Sequence, residues 1–269
     1  MKQRKIQSSI KGMNKELTIN EIKRIASLKN KKYRDLHGLY IIEGEHLISE
    51  LIKSGKKGLK YVVMRHDYDN PGLTDNLPDK YQYRIKRIQF NKLIDTKSPQ
   101  GILAVVQILK EEKPIDSKII VALDTINDPG NLGTILRTCY WYGIDTVIIG
   151  NNSADVYNPK TIRASQGAIF HVNFKTDANL EFELNELLNK DYNIYLTSLS
   201  GQPITDKTIS NGKSIIVFGN EANGISSNLL ANKEYKQIKI KSYTDCESLN
   251  VSVSAGIIIN EFKKLFEKQ

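Results

Sequence analysis

The chain has only two cysteines in 269 residues, Cys139 and Cys246, and they have neither disulfide-framework nor metal-ligand spacing. Both are expected to be reduced, small and mostly buried. Its four histidines, His37, His46, His66 and His171, form no H-x-x-x-H pair, so no catalytic metal is expected. No apolar run reaches the roughly 18 residues of a membrane span, and the N-terminus is too polar for a secretory signal. The protein is therefore expected to be soluble, cytoplasmic and independent of membranes. No G-x-S-x-G marks a serine hydrolase. No G-x-G-x-x-G follows a strand, which argues against nicotinamide enzymes. The glycine spacing of "GNEANG", Gly219 to Gly224, resembles a P-loop, but Ile225 and Ser226 stand where the phosphate-binding lysine should follow.

What is abundant is positive charge at one end. Residues 1–34 carry eleven Lys and Arg against Glu16 and Glu21, which accounts for the whole net charge of +9 and leaves the remaining chain neutral. Such an arm fits a polyanion backbone, RNA or DNA, because released counterions favour binding without sequence-specific geometry. The competing explanation is a solvated helical face.

The order of elements predicts two α/β domains. A helix is expected near Ile19–Leu28 with Asn20 as its cap. In "GLYIIEGEHLISELIKSG" a strand, a turn at Glu43 and Gly44, and a helix stopped at Gly55 are expected. Strands follow in "LKYVVM", "QYRIKRIQ" and "GILAVVQIL", with a loop at "DYDNPGLTDNLPDK" and a short helix at "NKLIDTKS". The charged, Pro-broken stretch 110–118 reads as a linker. Beyond it, "IIVALD", "DTVIIG", "YNIYLTS" and "SIIVFGN" are buried strands alternating with helices, which implies a doubly covered, mainly parallel sheet. A long terminal helix closes the chain, burying Val251, Ala255, Ile258, Ile259, Phe262 and Phe266. The boundaries are thus a basic arm at 1–34, a domain at 35–109, a linker at 110–118 and a second domain at 119–269.

Ligands of parallel sheets sit beyond the carboxyl ends of the strands, where "NDPGNLGT", "GNEANGIS" and "TDCESLN" fall. These loops offer backbone donors, amides, one acid and one arginine. Taken singly, each residue has a plain alternative: Asn131 and Ser248 as helix caps, Gly219 and Gly224 as turn glycines, Arg137 as a surface cation, Glu221 as an exposed acid. Cys246 is a poor nucleophile, because Asp245 and Glu247 would raise its thiol pKa.

Together, "NDPGNLGTILRT", "IVFGNEANGIS" and "SLNVSVSAGI" resemble the three successive motifs of the SpoU/TrmH family of RNA ribose 2′-O-methyltransferases, and "IRASQGAIF" resembles a fourth segment. Upstream, "YIIEGEHLISELI" and "SPQGILAVV" resemble the small α/β RNA-binding domain that often precedes the catalytic one. The resemblance implies the fold class: a small N-terminal α/β RNA-binding domain followed by a parallel-sheet SPOUT domain with a C-terminal trefoil knot. It also implies an obligate homodimer, with the pocket near the subunit interface, and S-adenosylmethionine as cofactor. Ribosomal RNA is the expected substrate, with transfer RNA, or a non-catalytic RNA-binding ribosome factor of the same fold, as alternatives.

By the same resemblance Thr197, Gly219, Ile240 and Leu249 hold the cofactor, while Asn131, Glu221, Ser248 and Asn250 fix the catalytic loop and the target nucleotide. A glycine at 219 is expected to let the backbone approach the ligand. The family's general base aligns with Arg137, yet a guanidinium with a pKa above about 12 accepts protons poorly. The expectation for Arg137 is a grip on the target phosphate and stabilisation of the developing alkoxide. Arg163 is the candidate for a second phosphate contact, with a surface salt bridge as the alternative. Family members usually have proline after Ile240, where this chain has Lys241, so the cofactor role of Ile240 is weaker than that of Gly219.

Overall fold

In the computed structural model residues 16–55, 57–75, 77–109 and 115–267 are described. The chain divides into two units, Met1–Leu109 and Lys110–Gln269. The first contains α1 (Ile19–Ser27), α2 (Lys31–His37), β1 (Leu39–Glu43), α3 (Glu45–Lys53), β2 (Leu59–Arg65), α4 (Pro71–Thr74), β3 (Gln82–Ile85), α5 (Arg87–Phe90) and β4 (Ile102–Gln107). Its sheet runs β1-β4-β2-β3, with β4 antiparallel to both β1 and β2 and β3 parallel to β2.

The arm expected at 1–34 is corrected from residue 16 onward; residues 1–15 lie outside the described residues. Leu17, Ile22, Ile25 and Leu28 are buried in the first unit's core, so these residues are part of the domain. α1 is capped by Thr18, not Asn20. Thr18 Oγ1 accepts the Glu21 N–H at 3.3 Å, and Glu21 Oε2 accepts the Thr18 N–H at 2.7 Å, a capping box. α2 was not anticipated, and it puts one of the arm's cations inside: Arg34 is buried and donates to the carbonyls of Leu28 and Lys29, both at 2.8 Å.

The strand expected across "QYRIKRIQ" ends at Ile85, and after Lys86 the four residues Arg87–Phe90 form a helical turn, whereas "NKLIDTKS" is not a helix. Ile85, Phe90 and Leu93 all reach one core. A continued strand alternates faces at every residue and would send Phe90 to the opposite side. The first unit's tyrosines are largely structural. Tyr40 and Tyr68 are buried, and the rings of Tyr61 and Tyr83 meet edge to face at 5.1 Å against the core.

Within the expected linker, 110–114 lie outside the described residues and the rest belongs to the second unit. Ile115 packs on that unit's core, and Asp116 pairs with Lys213 at 2.7 Å. This unit contains β5 (Ile119–Leu123), α6 (Pro129–Trp141), β6 (Thr146–Gly150), α7 (Pro159–Ser165), β7 (Asn173–Ala178), α8 (Leu180–Leu188), β8 (Asn193–Pro203), β9 (Ser214–Phe218), α9 (Ser227–Leu230), β10 (Lys236–Lys239) and α10 (Val251–Glu267). Its six strands are all parallel, in the order β10-β8-β9-β5-β6-β7. Every residue of β5, β6 and β9 is buried, as a sheet covered on both faces requires. The chain builds outward from β5 through β6 and β7, then crosses to the other side for β8 and β9. That reversal makes β5 and β9 the topological switch point, where a crevice opens beyond the strand ends.

Candidate functional site

Three loops meet at this point, and hydrogen bonds tie each to the next. Asp124, nearly buried at the end of β5, donates its N–H to the Phe218 carbonyl at 2.8 Å and accepts the Ser226 N–H on Oδ2 at 2.7 Å. The Thr125 carbonyl accepts from Asn220 Nδ2 at 2.8 Å, and the Asn220 carboxamide oxygen accepts the N–H groups of Ala222 and Asn223. Asn220 and Gly224 exchange two main-chain bonds, each of 2.9 Å, closing "GNEANG" into a tight turn. That closure places a demand of its own on Gly219. A Cβ there would strike the main chain of Gly224 and Ile225, so the turn's own packing requires a glycine at this position.

α6 begins with Asp128 as its cap and Pro129 at the first position, so Asn131 is not the cap. Asp128 accepts the Asn131 N–H at 2.9 Å and the Lys160 ammonium at 2.6 Å. Chiefly through the hydrogen bond from Lys160, its carboxyl is held below the usual carboxylate range. The side chain of Asn131 is thereby left for other work. Its Nδ2 donates to Glu221 Oε1 at 2.9 Å, and its Oδ1 accepts from Asn250 Nδ2 at 3.1 Å.

Glu221 also faces the N–H groups of Asn127 and Asp128, both at 3.4 Å. Desolvation would raise its pKa, but the hydrogen bonds from Asn131, from its own N–H and from Asn127 and Asp128 outweigh this and hold the carboxyl below its ordinary value. An ionised carboxylate only accepts, so Asn131 must turn its NH2 toward Glu221 and its oxygen toward Asn250. Asn250 in turn presents its NH2 to Asn131. Its oxygen caps α10, accepting the N–H of Ser252 at 2.9 Å and the Ser252 hydroxyl at 2.6 Å. The polarity of both amides follows from one negative charge at one end of the chain and a helix N-terminus at the other.

Arg137 lies on α6, exposed and without an ion pair or hydrogen bond to any described residue. Gly133, one turn earlier, lets α6 and α7 nearly touch: a Cβ there would run into the Thr161 carbonyl, the Ala164 Cβ and the Ser165 N–H. Arg163 is exposed on α7, and its guanidinium is likewise unpaired, so the salt-bridge alternative has no partner among the described residues. Ser248 does not join the α10 cap; its hydroxyl makes no hydrogen bond among the described residues. The Thr197 hydroxyl is spent within the sheet, donating to the Val217 carbonyl at 2.9 Å.

Ile240 is half-buried just past β10, and Leu249 is half-exposed. Between them Lys241, in place of the family's proline, lies 5.1 Å from the exposed Tyr243 ring. Residues 241–250 are exposed throughout and belong to no helix or strand. Only Thr244 and Cys246 engage their N–H groups there, with the hydroxyls of Ser242 and Thr244. Unpaired main-chain donors and acceptors beside an apolar Leu249 fit the nucleoside edge and amino-acid end of S-adenosylmethionine. Cys246 is exposed, contrary to expectation; Cys139 is buried, and burial pushes its thiol pKa up. Asp124, Asp128, Lys160 and Asn220 escaped the sequence reading. The signal available was a carboxylate ending the otherwise wholly apolar "IIVALD".

Against known proteins, the SpoU rRNA Methylase family model matches residues 118–260, and the MRM3-like substrate binding domain matches residues 20–104, starting inside the expected arm. A Bacillus subtilis protein, 23S rRNA (guanosine(2553)-2′-O)-methyltransferase RlmP, is 34% identical over 252 residues, covering 88% of this chain and 98% of that one. The structure of a putative RNA methyltransferase of the TrmH family from Porphyromonas gingivalis superposes with a TM-score of 0.81 at 28% identity, covering 93% of this chain and 99% of the other. The SpoU methyltransferase AviRb from Streptomyces viridochromogenes, in complex with AdoMet, shares the fold at a TM-score of 0.80 and 19% identity, covering 92% and 98%.

Proposed function

Since this chain belongs to the SpoU rRNA methylase family, whose model spans more than half of it, we propose that it is an S-adenosylmethionine-dependent RNA methyltransferase acting on a ribose 2′-hydroxyl. Ribosomal RNA of the large subunit is the substrate favoured by the likeness to RlmP. The observation that carries this is the chain Asn250–Asn131–Glu221, which joins three strand-end loops to the helix that also carries the unpaired Arg137.

S-adenosylmethionine supplies an electrophilic methyl group on a sulfonium. The residues of this chain do the rest. Thr197, Gly219, Ile240 and Leu249 line the cofactor side, the latter two through the open main chain of 240–250. The clasp of Asn131, Glu221 and Asn250 holds that segment against the start of α6, and Ser248 has a free hydroxyl for the nucleotide. Arg137 has its five donors uncommitted, so it can hold a phosphate by the guanidinium fork and stabilise oxyanion charge as the 2′-hydroxyl loses its proton. Arg163 offers a second phosphate contact.

A homodimer belongs to the same proposal. α6 and α10 run side by side, linked by Asn131 to Asn250 at one end and by the Tyr142 hydroxyl to Asn260 at 3.3 Å at the other. Their outer surface carries Trp141, 81% exposed, with Val253 and Ile257, and an added Cβ on Gly256 would meet only open space. The C-terminal knot is also part of the proposal. β10 lies at the sheet edge, yet α10 returns to pack on β9 and α6 near its centre.

The deciding experiment supplies labelled S-adenosylmethionine with deproteinised 23S rRNA and, separately, bulk transfer RNA. Label at a single alkali-resistant linkage in 23S rRNA is expected, because a 2′-O-methyl group removes the nucleophile of alkaline cleavage. Label on transfer RNA alone moves the substrate; calorimetric absence of cofactor binding rejects the enzyme.

A further inference from the structure

Three of the N-terminal cations are engaged within the first unit. Among the described residues of the first unit, Lys29 bonds Asp95 at 2.6 Å and the Ile94 carbonyl at 2.9 Å, Lys31 pairs with Asp35 at 2.8 Å, and Arg34 is buried on two carbonyls. These three cations serve the fold. The connection from β3 to β4 is different. Lys86, Arg87, Lys92 and Lys97 are all exposed and make no ion pair with a described residue, and Asp95, the acid between them, is already taken by Lys29. Between Arg87 and Lys92 in the same stretch, Ile88 is 76% exposed. Phe90 and Leu93, both buried, anchor the same turn, so its outer face stands on a fixed base.

We propose that this turn, residues 86–97, is an RNA-docking surface: four cations for the phosphate backbone around an apolar side chain that a ribose or base can cover. It rests on the methyltransferase reading above and adds where the first domain holds the substrate. Charge complementarity is the reason for choosing RNA. Four unpaired cations within twelve residues, in a chain that is neutral beyond residue 34, offer little to a neutral or basic protein surface. Ile88 adds non-ionic contact that survives salt, as recognition beyond phosphates requires.

The test uses the full chain with Lys86, Arg87, Lys92 and Lys97 all changed to Gln. The control changes Lys60, Lys190, Lys207 and Lys233, all exposed, to Gln and so removes the same charge. Filter binding to deproteinised 23S rRNA and bulk transfer RNA needs no catalysis, so it separates failure of this surface from failure of the enzymatic reading. The turn variant is expected to bind at least about 10-fold more weakly at 150 mM salt, with its log–log salt slope reduced by up to about 3, at about 0.7 per phosphate contact. The control should lose less than about threefold, and S-adenosylmethionine affinity and melting temperature should hold in both, the former by calorimetry. In turnover the loss should fall on KM for RNA, not kcat. Equal losses in the two variants, or an unchanged affinity in the turn variant, overturn the proposal. Ile88→Ser in the otherwise natural chain should weaken binding without altering the salt slope; a changed slope there also counts against it.

Discussion

Glu221 is exposed at the tip of a turn, where a carboxylate has no structural obligation, yet its pKa is depressed by donors from another loop. Its charge sets the direction of two amides, so Glu221→Gln replaces an acceptor with a group that also donates, and Asn131 no longer has one orientation. A carboxyl with a folded pKa below its ordinary 4.5 adds stability above that value and loses it as pH falls through the lowered one. Wild type should therefore melt above Glu221→Gln near neutral pH, with the gap closing below about pH 4.5; a gap of constant size across that range would falsify the linkage. Arg137→Lys keeps the charge and loses the fork. It should lower kcat about 100-fold or more, the scale for removing one oxyanion donor, with cofactor affinity kept. Near-normal turnover would mean that charge alone suffices. At this scale the sequence was informative where function dictates the residue. Asn131, Glu221 and Asn250 were named from it, but their mutual bonds were not visible, because they connect positions about 90 and 119 residues apart. Gly219 shows a motif position with a structural demand the sequence did not reveal: its missing side chain is also needed for the turn that Asn220 and Gly224 close.

Helices and strands were legible where periodicity is strong, as in the wholly buried β5, β6 and β9 and the long α10. They were misread where a few residues decide. α2 has only seven residues, too few for a periodic signal, and was lost in a run of basic residues that looked like an arm. The turn at Arg87–Phe90 was hidden because "YRIKRI" alternates as a strand does, and only the core position of Phe90 breaks that pattern. Gly133 was not singled out in the sequence, yet it is the contact that sets how closely α6 and α7 lie. Gly133→Ala gains about 1 kcal/mol of helix propensity in isolation, yet its Cβ meets main-chain atoms that cannot rotate away. Overpacking of about 1–3 kcal/mol should win, lowering the urea midpoint. Because α6 and α7 carry Arg137 and Arg163, activity should fall further than the lost stability explains. A variant as stable as wild type would show that the helices separate freely.

For the whole molecule, two domains and a parallel sheet could be read from the alternation of elements, while strand order could not. Parallel strands are joined by crossovers, and nothing local says on which side of β5 the chain will place β9. Exposure is equally illegible in sequence. Trp141, Val253 and Ile257 have the spacing of core residues, and only the folded chain shows them facing outward from neighbouring helices. Gly256 sharpens the point. A mid-helix glycine costs about 1 kcal/mol relative to alanine, and no described residue of the chain comes close enough to Gly256 to repay that cost. A second copy lying across α10 would use the space. Light scattering should thus give twice the mass of 30.5 kDa. Trp141→Arg with Ile257→Asp should give a monomer of unchanged helical content that has lost methyl transfer, since the open segment 241–250 leads directly into α10, which carries this surface. If the double variant is monomeric and fully active, each copy holds a complete site. If it stays dimeric, the two copies meet on another face, and Gly256 requires a different explanation.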